Sequence, residues 1–345
     1  MVVTIRDVAR RAGVSVTTAS RVLNHRLDTS PLARERVWAA ARELDYTVNL
    51  HARALTGATS RTIGLIVLDS SSVFHATMVR AVEETITPFG YSVIVCNTDN
   101  QPDKELKAHR TLLEKRVDGV LINSVLNGVA PLQRLLSEGI PFVLVNRSLP
   151  DEIIDHVRVD IRRGTYLATS HLLQLGHRCI LHHTGGIDHS PSHDRVEGYR
   201  QALEEFGVPF DPTLVLHYHK DPVSGVRVIR DAIAGHKPRP TAVVAFDDVW
   251  AMVVYKACSE LGLRIPDDVA VTGHMDLPFA PILIPPLTTV VQRVADSGRL
   301  AAQILLEKLS CHNGQQWTPQ RITLEPELVV RESSGAPVAS GAVSG

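Results

Sequence analysis

No apolar run in the sequence approaches the ~20 residues needed to cross a bilayer. The start, Met1-Val2-Val3-Thr4-Ile5-Arg6-Asp7, has neither the apolar stretch nor the small-residue cleavage site of a secretory signal. No membrane partner is expected, and the expected compartment is the cytoplasm. Cysteine is scarce: Cys96, Cys179, Cys258 and Cys311 lie far apart and form no CxxC pair. That spacing argues against a disulfide framework or a zinc site and for reduced, mostly buried thiols. A nucleophile elbow, a P-loop and a paired-glycine dinucleotide motif are all missing, and Gly185-Gly186 is too short a match for the last. An enzyme is therefore disfavoured, and no cofactor or metal is expected.

Lysine is missing from residues 1–60, where nine arginines face five acids. That segment carries +4, which leaves −5 for the rest of a chain whose total is −1. A small basic module on a mildly acidic body is the electrostatic outline of a DNA-binding head with a separate function behind it. At 345 residues the chain suits two or three domains.

Thr4 with Asp7 three residues on gives a capping-box-like helix start, and Val8, Ala9 and Ala12 then share one helical face. Gly13 supplies the backbone freedom for a turn. Ser15 caps a second helix, predicted over 16–24, with Ala19, Val22 and Leu23 inward and Thr17, Thr18, Arg21 and Asn24 outward. Two short helices around a glycine turn make a helix-turn-helix, whose second helix presents its first residues to the major groove. Val16 and Thr17 are placed to read thymine methyls and a base edge, and Arg21 to take a guanine or a phosphate. Thr4, Thr18, Ser20 and Asn24 suit phosphate contacts. A third helix starts at Ser30-Pro31, with Val37, Ala41, Leu44 and Trp38 as its core. The short run 49–55 holds two helical turns that need a partner helix or DNA to stay formed, and the Gly/Ser/Thr stretch after it is a linker.

From residue 61 the pattern becomes alternating strand and helix. Predicted strands are 62–68, 92–96, 119–123, 142–146, 178–182, 214–217, 242–245 and 269–273. Helical stretches lie between them, such as 79–87, 104–115, 166–175, 195–206 and 249–261. Repeated βα units imply parallel sheets covered by helices on both faces, with ligands outside the carboxyl ends of the strands.

The runs Thr4-Ile5-Arg6-Asp7-Val8-Ala9, Ala12-Gly13-Val14-Ser15 and Ser20-Arg21-Val22-Leu23-Asn24 closely resemble the signature of the lactose/galactose-repressor (LacI/GalR) family. So do Tyr46, Asn49 and Ala52-Arg53-Ala54-Leu55, with Val48 where many members have proline. The resemblance continues through Arg61-Thr62-Ile63-Gly64-Leu65, Val117-Asp118-Gly119-Val120, His171 to Arg178, Arg195 with Gly198-Tyr199, Pro266-Asp267-Asp268-Val269 and Pro286-Leu287-Thr288-Thr289-Val290, roughly residues 3–332 in all. It implies an all-α helix-turn-helix head (1–48) and a hinge helix with linker (49–60). Behind these comes an α/β two-lobed periplasmic-binding-protein-like (type I) core with parallel sheets (61–332). The first lobe would comprise 61–160 plus 292–319 and the second 161–291 plus 320–332. Three chain crossings are implied near 158–162, 288–293 and 318–323, before a flexible tail, 333–345.

The implied protein is a DNA-binding transcriptional regulator, a repressor in the commoner case, controlled by a small sugar or sugar-acid-like effector. The implied partners are a roughly palindromic double-stranded operator and a second copy of the chain. No leucine heptad in the tail builds a tetramer. In the hinge, Asn49 would support DNA contact and Leu55 would wedge between base pairs. In the sensor, matched positions are Phe74, which would stack on the ligand, with Arg147, Arg195, Asp247 and Gln292; Asp248 caps a helix instead.

Departures from the family pattern are Ser71-Ser72-Val73-Phe74-His75 after the first strand and His274-Met275-Asp276 after Gly273. Met275 stands where an acid usually takes a ligand hydroxyl, a bond that a thioether makes poorly. With Arg147, Arg195 and the nearby His182, His183, His189 and His193, this favours an effector bearing a carboxylate or phosphate. Neutral strand and loop residues are the other reading of the histidines, and a metal site a third. A sugar-binding transport protein is the rival reading of the core, opposed by the basic head.

Overall fold

The structure, a computed structural model, describes residues 3–23, 29–46, 59–126, 128–147, 149, 154–185, 190–218, 221–311 and 317–335. The chain divides into two compact units, 1–60 and 61–345.

In the first unit, α1 (Ile5–Ala12), α2 (Val16–Leu23) and α3 (Pro31–Glu43) follow the expected pattern. Val8, Ala9, Ala12, Ala19, Val22, Leu23, Val37, Ala40 and Ala41 form the core, with Trp38, Leu44 and Tyr46 packed at its edge. Gly13 closes α1 at φ 65°, the left-handed conformation that makes glycine the fitting residue. Ser15 Oγ accepts the Thr18 N–H at 3.0 Å and Ser30 Oγ accepts the Ala33 N–H at 3.3 Å, so both caps are formed. Arg11 pairs with Glu43 at 2.7 Å and ties α1 to α3. Both partners are exposed, so the pair adds little stability.

The second unit is built on two six-stranded sheets among the described residues. The first contains β1 (Thr62–Val67), β2 (Ser92–Asn97), β3 (Gly119–Ile122), β4 (Phe142–Val145), β5 (His156–Val159) and β11 (Arg321–Leu324), ordered 11-5-4-3-1-2. The second contains β6 (Ile180–His183), β7 (Val215–Leu216), β8 (Ala242–Val244), β9 (Ala270–His274), β10 (Thr288–Val291) and β12 (Glu327–Val329), ordered 12-10-9-8-6-7. All pairings are parallel except β10 with β12. Buried strands such as Phe-Val-Leu-Val of β4 read as continuous apolar runs because helices cover both faces. In each sheet the order reverses beside an early strand, between β1 and β3 and between β6 and β8. The crevice outside the strand ends at such a reversal is where open α/β sheets bind ligands.

The chain passes between the sheets three times. The first passage is at Asp160, between β5 and α7 (Ile161–Gln174). The second is at Gln292-Arg293, between β10 and α11 (Val294–Ser310), which packs in the core of the first sheet. The third is at Glu325-Pro326, later than the 318–323 expected. Strand 321–324 pairs with 156–159, so residues 320–324 go with the first lobe and not the second. The strands 156–159, 288–291, 321–324 and 327–329 and the helix α11 were not anticipated, while α9 (Pro222–Gly235) fills the interval between the predicted strands 214–217 and 242–245. Observed helices also begin earlier than expected: 73 against 79, 161 against 166 and 190 against 195. Residues 333–335, expected in the tail, are part of the packed core unit. Ser333 and Ser334 are buried; Ser333 Oγ donates to the Val271 carbonyl at 2.6 Å and accepts the Thr288 N–H at 2.8 Å. Of the cysteines, Cys258 is buried and the other three are half-buried.

Gly198 lies where α8 (Ser190–Glu205) crosses α7, and a Cβ there would stand 2.1 Å from the Arg162 carbonyl oxygen. Backbone cannot yield as a side chain does. Gly198→Ala is expected to destabilise the core unit by ~3 kcal/mol, the upper part of the overpacking range. Urea unfolding checks this, and an unchanged midpoint would show that the helices slide apart freely.

Candidate DNA interface and effector site

On α2, Val16, Thr17 and Arg21 are exposed, and Thr17 and Arg21 are one helical turn apart on the same face. Val16 is 44% exposed. Thr18 and Ser20 are half-buried on the flanks of that face. Thr4 forms the helix start expected of it. Its hydroxyl donates to the Asp7 carboxylate at 2.6 Å and its N–H does so at 3.0 Å, which lowers the Asp7 pKa. Asn24, Asn49 and Leu55 lie outside the described residues.

In the second unit a cavity of about 220 Å³ opens at the carboxyl ends of both sheets. Leu68 and Asp69 line it from the end of β1, Asn123 from β3 and Asn146 from β4. Across from them stand Phe246 and Asp247 after β8, Met275 after β9 and Gln292 after β10. Phe74, His75, Asn100, Ile161, Ser192 and Arg195 complete most of the wall. Phe74, Arg195, Asp247 and Gln292 are thus brought together as expected, and Arg147 is not. Arg147 is buried beside this site with a guanidinium N–H on the Leu126 carbonyl at 3.3 Å. Burial lowers its pKa, opposed by the charges of Glu105 and Asp194.

Arg195 lies over the Phe246 ring, 4.3 Å from its centroid. Burial brings its pKa down to about 10, held up by the charges of Asp247 and Asp194, so it stays cationic. Gly185, at φ 83°, admits the Phe246 ring, since a Cβ would sit 2.7 Å from it. Asp247 caps α10 (Asp248–Leu261), its Oδ1 accepting the Trp250 N–H at 2.8 Å. Burial raises its pKa to about 6, against the pull of the Trp250 N–H and Arg195. The capping role given to Asp248 therefore belongs to Asp247. Asp248 is fully buried and turned to other partners.

Phe246, His75, Asn123, Asn146, Asn100, Ile161 and Ser192 were not anticipated. Asn123, Asn146 and Phe246 each directly follow or end an apolar strand run, and the strand-end rule applied residue by residue would have found them.

His182 and His183 form strand interior. His182 and His183 are fully buried in β6, and His182 stacks on Tyr199 at 5.0 Å. Burial holds the His182 pKa well below its usual value and takes His274 to about 3. His193 is exposed and His189 lies outside the described residues. Among the described residues no group of three or more His, Cys, Asp or Glu is arranged to hold a metal. A histidine neutral in the fold but free to protonate when unfolded favours unfolding as pH falls below 6.5. Wild-type stability is expected to fall relative to His274→Gln by ~1.4 kcal/mol per pH unit from pH 6.5 toward the folded-state pKa. Urea titrations at several pH values check this, and parallel curves for the two proteins would contradict it.

A helix-turn-helix head joined to a two-sheet core with a cavity at its strand ends defines a DNA-binding regulator controlled by a small molecule. Residues 4–49 match the bacterial regulatory proteins of the lacI family, and residues 169–334 match the periplasmic binding protein-like domain. The chain is 35% identical to the HTH-type transcriptional regulator DegA of Bacillus subtilis, over 97% of this chain and 98% of that one. It is 33% identical to the HTH-type transcriptional repressor PurR of Photobacterium profundum, over 96% and 98%. Among solved structures, the lac repressor dimer bound to operator superposes with a TM-score of 0.84 at 28% identity, covering 97% of this chain and 99% of that one. A complex of the regulator CelR with cellobiose superposes at 0.72 and 31% identity, covering 96% and 99%. The chain belongs to the lacI family of bacterial transcriptional regulators.

Proposed function

We propose that this regulator is a repressor acting as a homodimer on a roughly palindromic operator, and that its effector is a neutral, polyhydroxylated molecule of sugar size. The cavity lining carries the second part. Asp69 and Asp247 place two carboxylates in the wall against one guanidinium, Arg195. His75 adds no charge, because burial lowers its pKa to about 4. Arg147 is not in the lining, and His182 and His183 are buried strand interior, with burial holding the His182 pKa well below its usual value. Of the features that favoured an anionic ligand, Arg195 and the Met275 that stands in place of an acid remain in the wall. Asn123, Asn146, Asn100, Gln292 and Ser192 offer donors and acceptors of the kind hydroxyl groups use, while Phe74 and Phe246 offer flat apolar faces. Relatives solved with cellobiose and with ribose support the same chemical class.

For the head, we assign base reading to Val16, Thr17 and Arg21, and phosphate contact to Thr4, Thr18, Ser20 and Asn24. The scheme of head (1–48), hinge (49–60) and core from 61 remains the working division, with Asn49 and Leu55 as its hinge contacts. Effector and operator are linked through the core, so each changes the other's affinity by the same factor. Calorimetric titration with matched aldoses and aldonates tests the effector class. Binding of a neutral aldose with no binding of its aldonate is expected, and the reverse preference would overturn the assignment.

A further inference from the structure

The turn after β9 holds two successive non-glycine residues in the left-handed region, Met275 at φ 106° and Asp276 at φ 52°. Such angles persist only where the surroundings hold them. Here every backbone N–H of the turn is held. Met275 donates to the Val290 carbonyl at 2.7 Å, Asp276 to the Thr289 hydroxyl oxygen at 3.4 Å and Leu277 to Asp248 Oδ2 at 2.7 Å. The Thr289 hydroxyl in turn donates to Asp248 Oδ1 at 2.5 Å. From the far side Arg331 donates to the Asp276 carboxylate at 2.7 Å and to the Leu287 carbonyl at 2.7 Å. Gly273 leaves room for the carboxylate, since a Cβ there would stand 2.3 Å from Asp248 Oδ1.

Asp248 is therefore the shared acceptor for the strained turn and for β10, the strand that leads to Gln292 and out of the second lobe. Its neighbour Asp247 and the turn residue Met275 both face the cavity. We propose that Asp248 is a positioning residue for the effector site: its buried carboxylate clamps the Met275–Leu277 turn to Thr289 and so fixes the Met275 side chain in the cavity wall. The site it serves is the effector site argued above, and the proposal rests on that reading. The clamp needs hydrogen-bond geometry and not the charge. An asparagine can accept from the Leu277 N–H through Oδ1 and donate to Thr289 Oγ1 through Nδ2, the same two links with one proton reversed.

The chain holds only four methionines, Met1, Met78, Met252 and Met275, so methyl-labelled methionine gives a sparse spectrum in which Met275→Leu assigns the signal of interest. Met78, buried in the first lobe, is the internal reference. The full chain is measured with no ligand added. Asp248→Ala and Thr289→Val are expected to displace the Met275 cross-peak by several linewidths with Met78 in place, and Asp248→Asn is expected to leave Met275 at its wild-type position. Thr289→Val is nearly isosteric and carries the test should Asp248→Ala fail to fold. An unmoved Met275 signal in Thr289→Val, or Met78 moving as far as Met275, would overturn the clamp. Failure of every sugar to bind would count against the effector reading and leave this result standing.

Discussion

Arg21→Ala is expected to bind the operator ~30-fold to ~10⁴-fold more weakly while binding random duplex nearly as before. A bidentate arginine–guanine contact discriminates by ~1–3 kcal/mol, and a dimer makes it once in each half-site, giving ~2–6 kcal/mol. Arg21 is exposed on a helix whose core is Ala19, Val22 and Leu23, so its truncation leaves the head's packing intact. Fluorescence anisotropy against operator and random duplex, at one fixed salt concentration, separates the two affinities. Equal weakening on both duplexes would make Arg21 a phosphate contact and move base reading to Val16 and Thr17 alone.

Arg195→Ala is expected to leave operator binding intact and unresponsive to effector. Hydrogen bonds to a charged group contribute ~1.5–3 kcal/mol each, so loss of the guanidinium weakens a sugar-sized ligand ~10-fold to ~150-fold or more. Truncation also leaves the Phe246 face without its cation and the Asp247 carboxylate without the charge that offsets its burial. Arg195→Lys should recover only part of the loss, because an ammonium lacks the planar fork. Calorimetry and operator anisotropy on the same preparations read both halves. Wild-type effector affinity in Arg195→Ala would remove Arg195 from the site, and loss of operator affinity would point to misfolding.

The head was legible because each boundary had a local chemical marker. Asp7, Gly13, Ser15 and Ser30-Pro31 begin or end helices by contacts within a few residues, and all of them act where the sequence placed them. The core sheets were legible where strands are buried on both faces, as in Thr62–Val67 and Phe142–Val145. Strands 156–159 and 321–324 escaped because their stability is non-local. They pair with each other across more than 160 positions, and Asp155 anchors them by accepting from Lys308, Trp317 and the Gln320 N–H. The effector site was legible by position more than by orientation. Arg147 follows a strand as the cavity asparagine Asn146 does, yet the side chain is drawn toward Leu126 and Glu105. The capping role fell to Asp247 and not Asp248 for a similar reason. Which of two adjacent acids caps a helix depends on the strand beyond it, and that strand's threonine, Thr289, lies 41 residues away.

Selection of bound duplexes from a random library, followed by anisotropy on the enriched sequence with and without the bound aldose, tests the central claim most directly. A two-fold symmetric sequence should be enriched by the full chain, and the aldose should change its affinity by the factor by which that duplex changes aldose affinity. Enrichment of no symmetric sequence, or an affinity indifferent to a ligand that demonstrably occupies the cavity, would contradict the account.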